Sequence, residues 1–281
     1  MLAPSLAGSL QLFGIAVLAS RLEPRARVAP AATARWLAVG AVLITLGGCL
    51  QVAITIGSLA DRLGEPPAAL LPDYLLETRS GRLNAARIAF PILLLALLGW
   101  LTQRSAAWRE QALRAAALAG VLGTAALLAA SGHAPATAGG GWTVVIQTLH
   151  LSLAALWAGL VLGVPAATRP GPALHEALRD AGNRALVYVL ALAATGVLLA
   201  WWHGVGPANL LHTGYGLTLL GKLAVFTLAL AAAATNRWYA LPAAEGGCRP
   251  HLPRRLLLLE AGGIGLILVA AATLTRTPPL H

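Results

Sequence analysis

The chain has 281 residues, of which 58% are hydrophobic and only 11% are charged, and its formal net charge is +10. The charged share is less than half of the roughly 25% typical of soluble domains, which excludes a soluble globular enzyme and a disordered protein. Two cysteines are too few for a disulfide scaffold. What remains is an all-α, polytopic membrane protein.

Apolar stretches long enough to cross a bilayer predict eight transmembrane helices and no soluble domain. In chain order these stretches cover residues 5–20, 36–60, 84–101, 112–131, 144–167, 184–202, 216–236 and 255–275. The first stretch could be mistaken for a signal peptide, but it lacks a basic leader and a small-residue cleavage site. We therefore expect it to be a retained helix of one transmembrane bundle that spans 1–281.

Basic residues alternate in number between successive loops. The loops after the first, third, fifth and seventh spans carry 14 of them, whereas the opposite side carries four. By the positive-inside rule, both termini are predicted to face away from the cytoplasm. Because no dense basic run stands beside aromatic residues, the positive charge indicates membrane topology and no nucleic-acid partner.

Histidines mark the outer side of this predicted bundle. His133, His150, His203 and His212 all fall near two loops, 132–143 and 203–215, that carry no charge. Imidazole is the commonest protein ligand for transition metals and suits copper, zinc, nickel and iron. His150 lies inside an apolar stretch, where ionisable residues are rare and usually functional, whereas the other three could simply meet water at the interface.

Other polar side chains are candidates for an ion pathway or for packing. Gln147, His150 and Trp157 are spaced so that they share one helix face, and Trp157 is interpreted mainly as a packing residue. Cys49 is the only cysteine within a span. It is interpreted as a small buried hydrophobic residue that could alternatively assist copper. Because the only methionine is Met1, a methionine ladder for Cu(I) is excluded.

Three charged residues fall within the predicted spans. Arg87 and Lys222 lie near the outer ends of the third and seventh spans, from which their side chains could extend outward to the interface. Glu260 lies near the inner end of the eighth span, level with Asn236 and Arg237. A pair between Glu260 and Arg237 would offset the burial of the carboxylate, and the alternative is a cation or proton relay.

Motifs of soluble enzymes are absent from the sequence. It contains no phosphate-binding loop, dinucleotide fingerprint, HExxH zinc motif or GxSxG nucleophile motif. We therefore expect no enzymatic activity. Any transport would be passive, coupled to an ion or driven by a partner.

Six stretches, taken in order, carry a resemblance to a known family. They are LLETRSGRLNAAR at 75–87, SGHA at 131–134, QTLHLSLAALWAGLVLG at 147–163, TGVLLAWW at 195–202, TGYGLTLLGKLAVFTLALAAAATNR at 213–237 and RRLLLLEAGGIGLILVAAATLTRTPP at 254–279. In combination they resemble the copper resistance protein D (CopD) family of bacterial inner-membrane proteins. The resemblance implies a bundle of eight helices with periplasmic termini, a role in copper homeostasis, and copper movement across the membrane with import favoured.

The resemblance also implies a set of functional positions and a partner. The family's motif positions fall on His133, His150, Trp157, Lys222, Asn236, Arg237 and Glu260. Of these, His133 and His150 are expected to contact the metal, with His203 and His212 as further candidates. A separate periplasmic copper-binding protein (CopC-like) is the expected partner, besides the lipid bilayer.

Two other functions are compatible with the same residues. One is a membrane redox protein that binds haem, with His150 paired with His203 or His133 as axial ligands. The other is a copper-sensing or assembly protein that binds the ion without transporting it. The sequence leaves open the oxidation state of the copper and the oligomeric state.

Overall fold

The computed structural model describes residues 2–22, 30–101, 103, 106–132, 140–167, 172–202, 204, 211–235 and 238. These residues form eight α-helices and no strand. We number them in chain order as α1 (Leu2–Ala19), α2 (Pro30–Leu63), α3 (Pro67–Glu77), α4 (Arg79–Leu101), α5 (Ala106–Ser131), α6 (Gly140–Ala167), α7 (Pro172–Trp202) and α8 (Gly214–Thr235).

Most of these helices are apolar enough to lie in a bilayer. Five of them, α2, α4, α5, α6 and α7, are long and apolar enough to cross a membrane. Helices α1 and α8 contain the shorter apolar segments Leu6–Ala19 and Leu219–Thr235. The described residues therefore form a multi-pass helical membrane protein. Each of the first seven predicted spans coincides with a helix, and the eighth, 255–275, lies outside the described residues.

Helix α3 occupies a segment that the span prediction left between two membrane helices. It follows Gly64, whose φ of 71° allows the chain to turn, and it begins with a proline at its first position. Thr78 joins it to α4, because its hydroxyl donates to the carbonyl of Tyr74 (2.7 Å) and accepts from the amide of Gly81 (2.9 Å). The connection between the second and third predicted spans is therefore helical.

Helix α1 lies among other helices rather than at the edge of the bundle. It packs against α2, α5 and α6, and each residue from Ile15 to Ala19 is at most 4% exposed. Glycines allow the backbones of α1 and α2 to touch. A Cβ on Gly14 would lie 2.7 Å from the carbonyl oxygen of Gly40, and one on Gly47 would lie 2.6 Å from that of Ala7. Small residues thus make close packing of these two helices possible.

A similar close approach joins α1 to α6. A Cβ on Gly159 would lie 2.7 Å from the backbone nitrogen of Ser20, and one on Gly163 would lie 2.9 Å from the carbonyl oxygen of Ser20. Backbone atoms cannot move aside as a flexible side chain can. The end of α1 therefore rests directly on a glycine stripe of α6.

We predict that Gly159→Ala lowers the free energy of unfolding by about 2 kcal/mol, because the added methyl group must separate α6 from α1. Gly57→Ala in α2 is the matched control, since a Cβ there meets nothing within 4 Å. That variant should be neutral, or stabilised by up to about 1 kcal/mol through helix propensity. Thermal unfolding in detergent measures both. Equal effects of the two variants would contradict the close contact between α1 and α6.

Candidate metal site

The candidate site lies between α6 and α7, which pack side by side. His150 comes ten residues after the start of α6, and Thr195 comes seven residues before the end of α7. At a rise of about 1.5 Å per residue, these positions are roughly 15 and 10 Å from the same end of the two antiparallel helices. The Nδ1 atom of His150 lies 2.9 Å from the hydroxyl oxygen of Thr195, which is a hydrogen bond between the two helices.

The hydroxyl of Thr195 is fixed by its own helix. Its oxygen lies 2.9 Å from the carbonyl oxygen of Ala191 and 3.0 Å from that of Leu192. Thr195 is only 6% exposed. The next residue, Gly196, lies beside the imidazole, and a Cβ there would be 3.4 Å from Cε1 of His150, which is van der Waals contact. The ring therefore packs against α7 at Thr195 and Gly196.

An aromatic pair lies further along the same face of α6. Trp157, two turns after His150, is 2% exposed and meets Phe226 of α8 edge to face, with ring centroids 5.5 Å apart and planes at 77°. This pair belongs to an apolar cluster that also contains Ala16, Val161, Val189, Leu192, Val225 and Leu230. Trp157 therefore packs among apolar side chains, and this cluster lies beyond His150 on the same face of α6.

Helix α8 also brings a positive charge to this region. Lys222 comes eight residues after the start of α8, so it lies at a depth similar to that of His150. Its side chain is half-buried. The region around His150 thus contains an amine as well as apolar groups.

The other predicted site residues differ in their placement. Gln147 is half-buried one turn before His150, and His212 is exposed in the turn between α7 and α8. Cys49 is exposed on α2, so its interpretation as a buried hydrophobic residue is wrong. The remaining predicted positions, His133, His203, Asn236, Arg237 and Glu260, lie outside the described residues.

Among the residues that the structure describes, no three or more His, Cys, Asp or Glu side chains gather closely enough to hold a metal ion. Within this part of the chain, His150 is the candidate ligand that faces a neighbouring helix. The convergence of His133, His150, His203 and His212 on one side of the membrane stays a prediction.

A second polar group, which we name the Arg87 cluster, comprises Gln11, Tyr74, Asn84, Arg87 and Ser131. The guanidinium of Arg87 donates to Asn84 Oδ1 (2.9 Å), to Ser131 Oγ (3.0 Å) and to Gln11 Oε1. The side-chain amide of Asn84 donates in turn to the hydroxyl of Tyr74 (2.7 Å). Arg87 is 6% exposed, so the expectation that it extends outward to the interface is wrong. The cluster connects α1, α3, α4 and α5.

Sequence reasoning missed Thr195, Gly196 and Gln11. Thr195 opens the stretch TGVLLAWW, but a threonine in an apolar helix usually bonds to its own backbone and therefore gives little signal. Gln11 offered a clearer signal, since it is the one amide side chain within the first predicted span. A search for polar residues in apolar stretches would have found it.

The fold and its buried polar groups define a multi-pass membrane protein with polar chemistry inside the bundle. Residues 176–274 match the family model described as copper resistance protein D. The resemblance read from the sequence motifs is thereby confirmed for this segment, which contains Thr195 and Lys222 but begins after His150. Neither a curated protein nor a solved structure matches the chain.

Proposed function

We propose that this protein binds copper ions at its periplasmic side and moves them across the bacterial inner membrane, with import as the direction. The family match supports a role in copper homeostasis and resistance. The observation that carries the site is the hydrogen bond of 2.9 Å that holds the His150 imidazole between two membrane helices. In this proposal the chain has eight spans and both termini are periplasmic.

The chemistry of the residues favours nitrogen ligands for the ion. Imidazole binds copper well, and thioether ligands are restricted to Met1. We place His150 at the centre of the site and assign His133, His203 and His212 as the residues that complete it from the two uncharged outer loops. A CopC-like periplasmic protein would deliver copper to this face.

The inward route in this proposal passes along α6 and α8. It leads from His150 past Lys222 and the contact between Trp157 and Phe226 to the inner polar residues, where the side-chain oxygens of Asn236 and Glu260 receive the ion and Arg237 contributes a positive charge. Polar residues inside a membrane bundle commonly mark such pathways. Gln147 and Cys49 are further polar groups of the bundle, and Gln147 is the nearer of the two to His150 along the chain.

Elemental analysis of the purified protein after copper loading and washing tests the proposal, with copper and iron measured together. Near-stoichiometric copper, lost in the double variant with His133→Ala and His150→Ala, is the expected result. Iron together with a Soret absorption band would overturn it in favour of the haem-binding function. Copper uptake into proteoliposomes tests transport, and stoichiometric binding without flux would indicate a sensing or assembly protein instead.

A further inference from the structure

We propose that Thr195 is a positioning residue that holds His150 as the Nδ1–H tautomer, so that Nε2 carries the lone pair for a metal ion. The proposal rests on the proposed copper function for the identity of the ion. The tautomer itself follows from the hydrogen bonds of the protein.

The first step concerns the single proton of the Thr195 hydroxyl. The oxygen of that hydroxyl lies 2.9 and 3.0 Å from the carbonyl oxygens of Ala191 and Leu192, and both are acceptors only. A helical threonine directs its proton to these carbonyls of the preceding turn. The lone pairs of the Thr195 hydroxyl oxygen then face Nδ1 of His150, 2.9 Å away. Nδ1 of His150 must therefore be the donor in this bond.

The second step concerns the other ring nitrogen. A neutral imidazole has one N–H, so a protonated Nδ1 leaves Nε2 with a free lone pair. The two ring nitrogens point in widely different directions, and fixing Nδ1 on α7 turns Nε2 away from Thr195. The ring packs beside Gly196 of α7, where a Cβ would lie 3.4 Å from Cε1, at van der Waals contact.

The third step concerns what this arrangement does for an ion. A histidine that binds a metal usually donates its second N–H to a carboxylate, a carbonyl or water, which fixes the ring and its tautomer. Here a neutral hydroxyl accepts that bond, so the orienting group adds no negative charge to the site. The hydroxyl therefore orients the histidine, but the site holds a cation less strongly than a site whose histidine is oriented by a carboxylate. Weaker binding suits a transported ion, because the ion must leave the site again.

Nitrogen-15 NMR of histidine-labelled, metal-free protein tests the tautomer directly, with the His150 signals assigned as those lost in His150→Gln. We expect a protonated Nδ1 and an unprotonated Nε2 in the wild type and in Thr195→Ser. In Thr195→Val, which keeps the shape but removes the acceptor, we expect a mixture of tautomers and copper binding weakened by about tenfold. Thr227→Val is the matched control, since among the described residues the Thr227 hydroxyl donates within α8, to the carbonyl of Leu223 (2.9 Å).

Each outcome bears on a separate part of the proposal. A protonated Nε2 in the wild type overturns the role of Thr195, whether or not copper binds. Equal copper affinity in Thr195→Val and the wild type also overturns it. The expected tautomer in a protein that retains no copper would overturn the proposed function and the ligand role of Nε2, while it would support the orienting hydrogen bond.

Discussion

Replacing His150 with alanine is expected to reduce copper retention by at least about 100-fold. Loss of a group that only orients a metal ligand typically weakens binding by 10- to 100-fold, so loss of the ligand itself should cost more. Without the imidazole, the site would offer copper the Thr195 hydroxyl, which binds copper poorly. The neighbouring cluster around Trp157 is apolar. Copper bound per protein after washing, measured over a range of loading concentrations, provides the comparison.

The control for this variant is His175→Ala. His175 lies in the first turn of α7, at the opposite end of that helix from Thr195, so its loss should leave copper retention unchanged. Thermal unfolding of both variants shows whether the bundle is intact. Equal loss of copper in the two variants would contradict the assignment of His150 as a ligand.

Replacing Arg87 with alanine is expected to lower the free energy of unfolding by about 3 kcal/mol, since it breaks a buried hydrogen-bond network. The guanidinium donates to oxygens from Gln11, Asn84 and Ser131, which lie on three helices. Without it, the buried oxygens of Gln11 and Asn84 lose a charged donor. Thermal unfolding in detergent should show a lower midpoint and, because α3 is tied to Asn84 through Tyr74, faster amide exchange in α3.

Arg114→Ala provides the matched control on the neighbouring helix. Arg114 pairs with Glu110 at 2.9 Å, but the two side chains are 50% and 67% exposed. Such an exposed pair, four residues apart on a helix, contributes less than about 0.5 kcal/mol. If Arg87→Ala were no more destabilising than Arg114→Ala, the Arg87 cluster would not hold the helices together.

The positions of the membrane helices could be predicted because apolar length is a local property of the sequence. The stretch 144–167, for example, falls within α6, and 216–236 nearly coincides with α8. The beginnings of helices were harder to predict. Helix α7 starts at Pro172 rather than near 184, since its first turns carry Glu176, Arg179 and Asp180 and are too polar for a span. Helix α3 was missed for a different reason, since its 11 residues are too few to cross a bilayer.

Contacts between helices were predicted less well, because they depend on how the helices are arranged around one another. His150 stood out as an ionisable residue in an apolar stretch, but its partner Thr195 lies 45 positions further along the chain. Arg87 was visible as a charge within a span, whereas its bond to Gln11 joins residues 76 positions apart. A single sequence contains no pattern that links such positions.

The bond between Gln11 and Arg87 also has a consequence for synthesis of the chain. At a translation rate of roughly 5 to 20 residues per second, Arg87 leaves the ribosome about 4 to 15 s after Gln11. During that interval the side-chain amide of Gln11 has no Arg87 to donate to it. Helix α1 is therefore completed by helices that are made after it, and it must remain beside the growing chain until α4, α5 and α6 have packed around it. Conditions that slow elongation between α1 and α4 should lower the yield of folded protein more than a delay after α6.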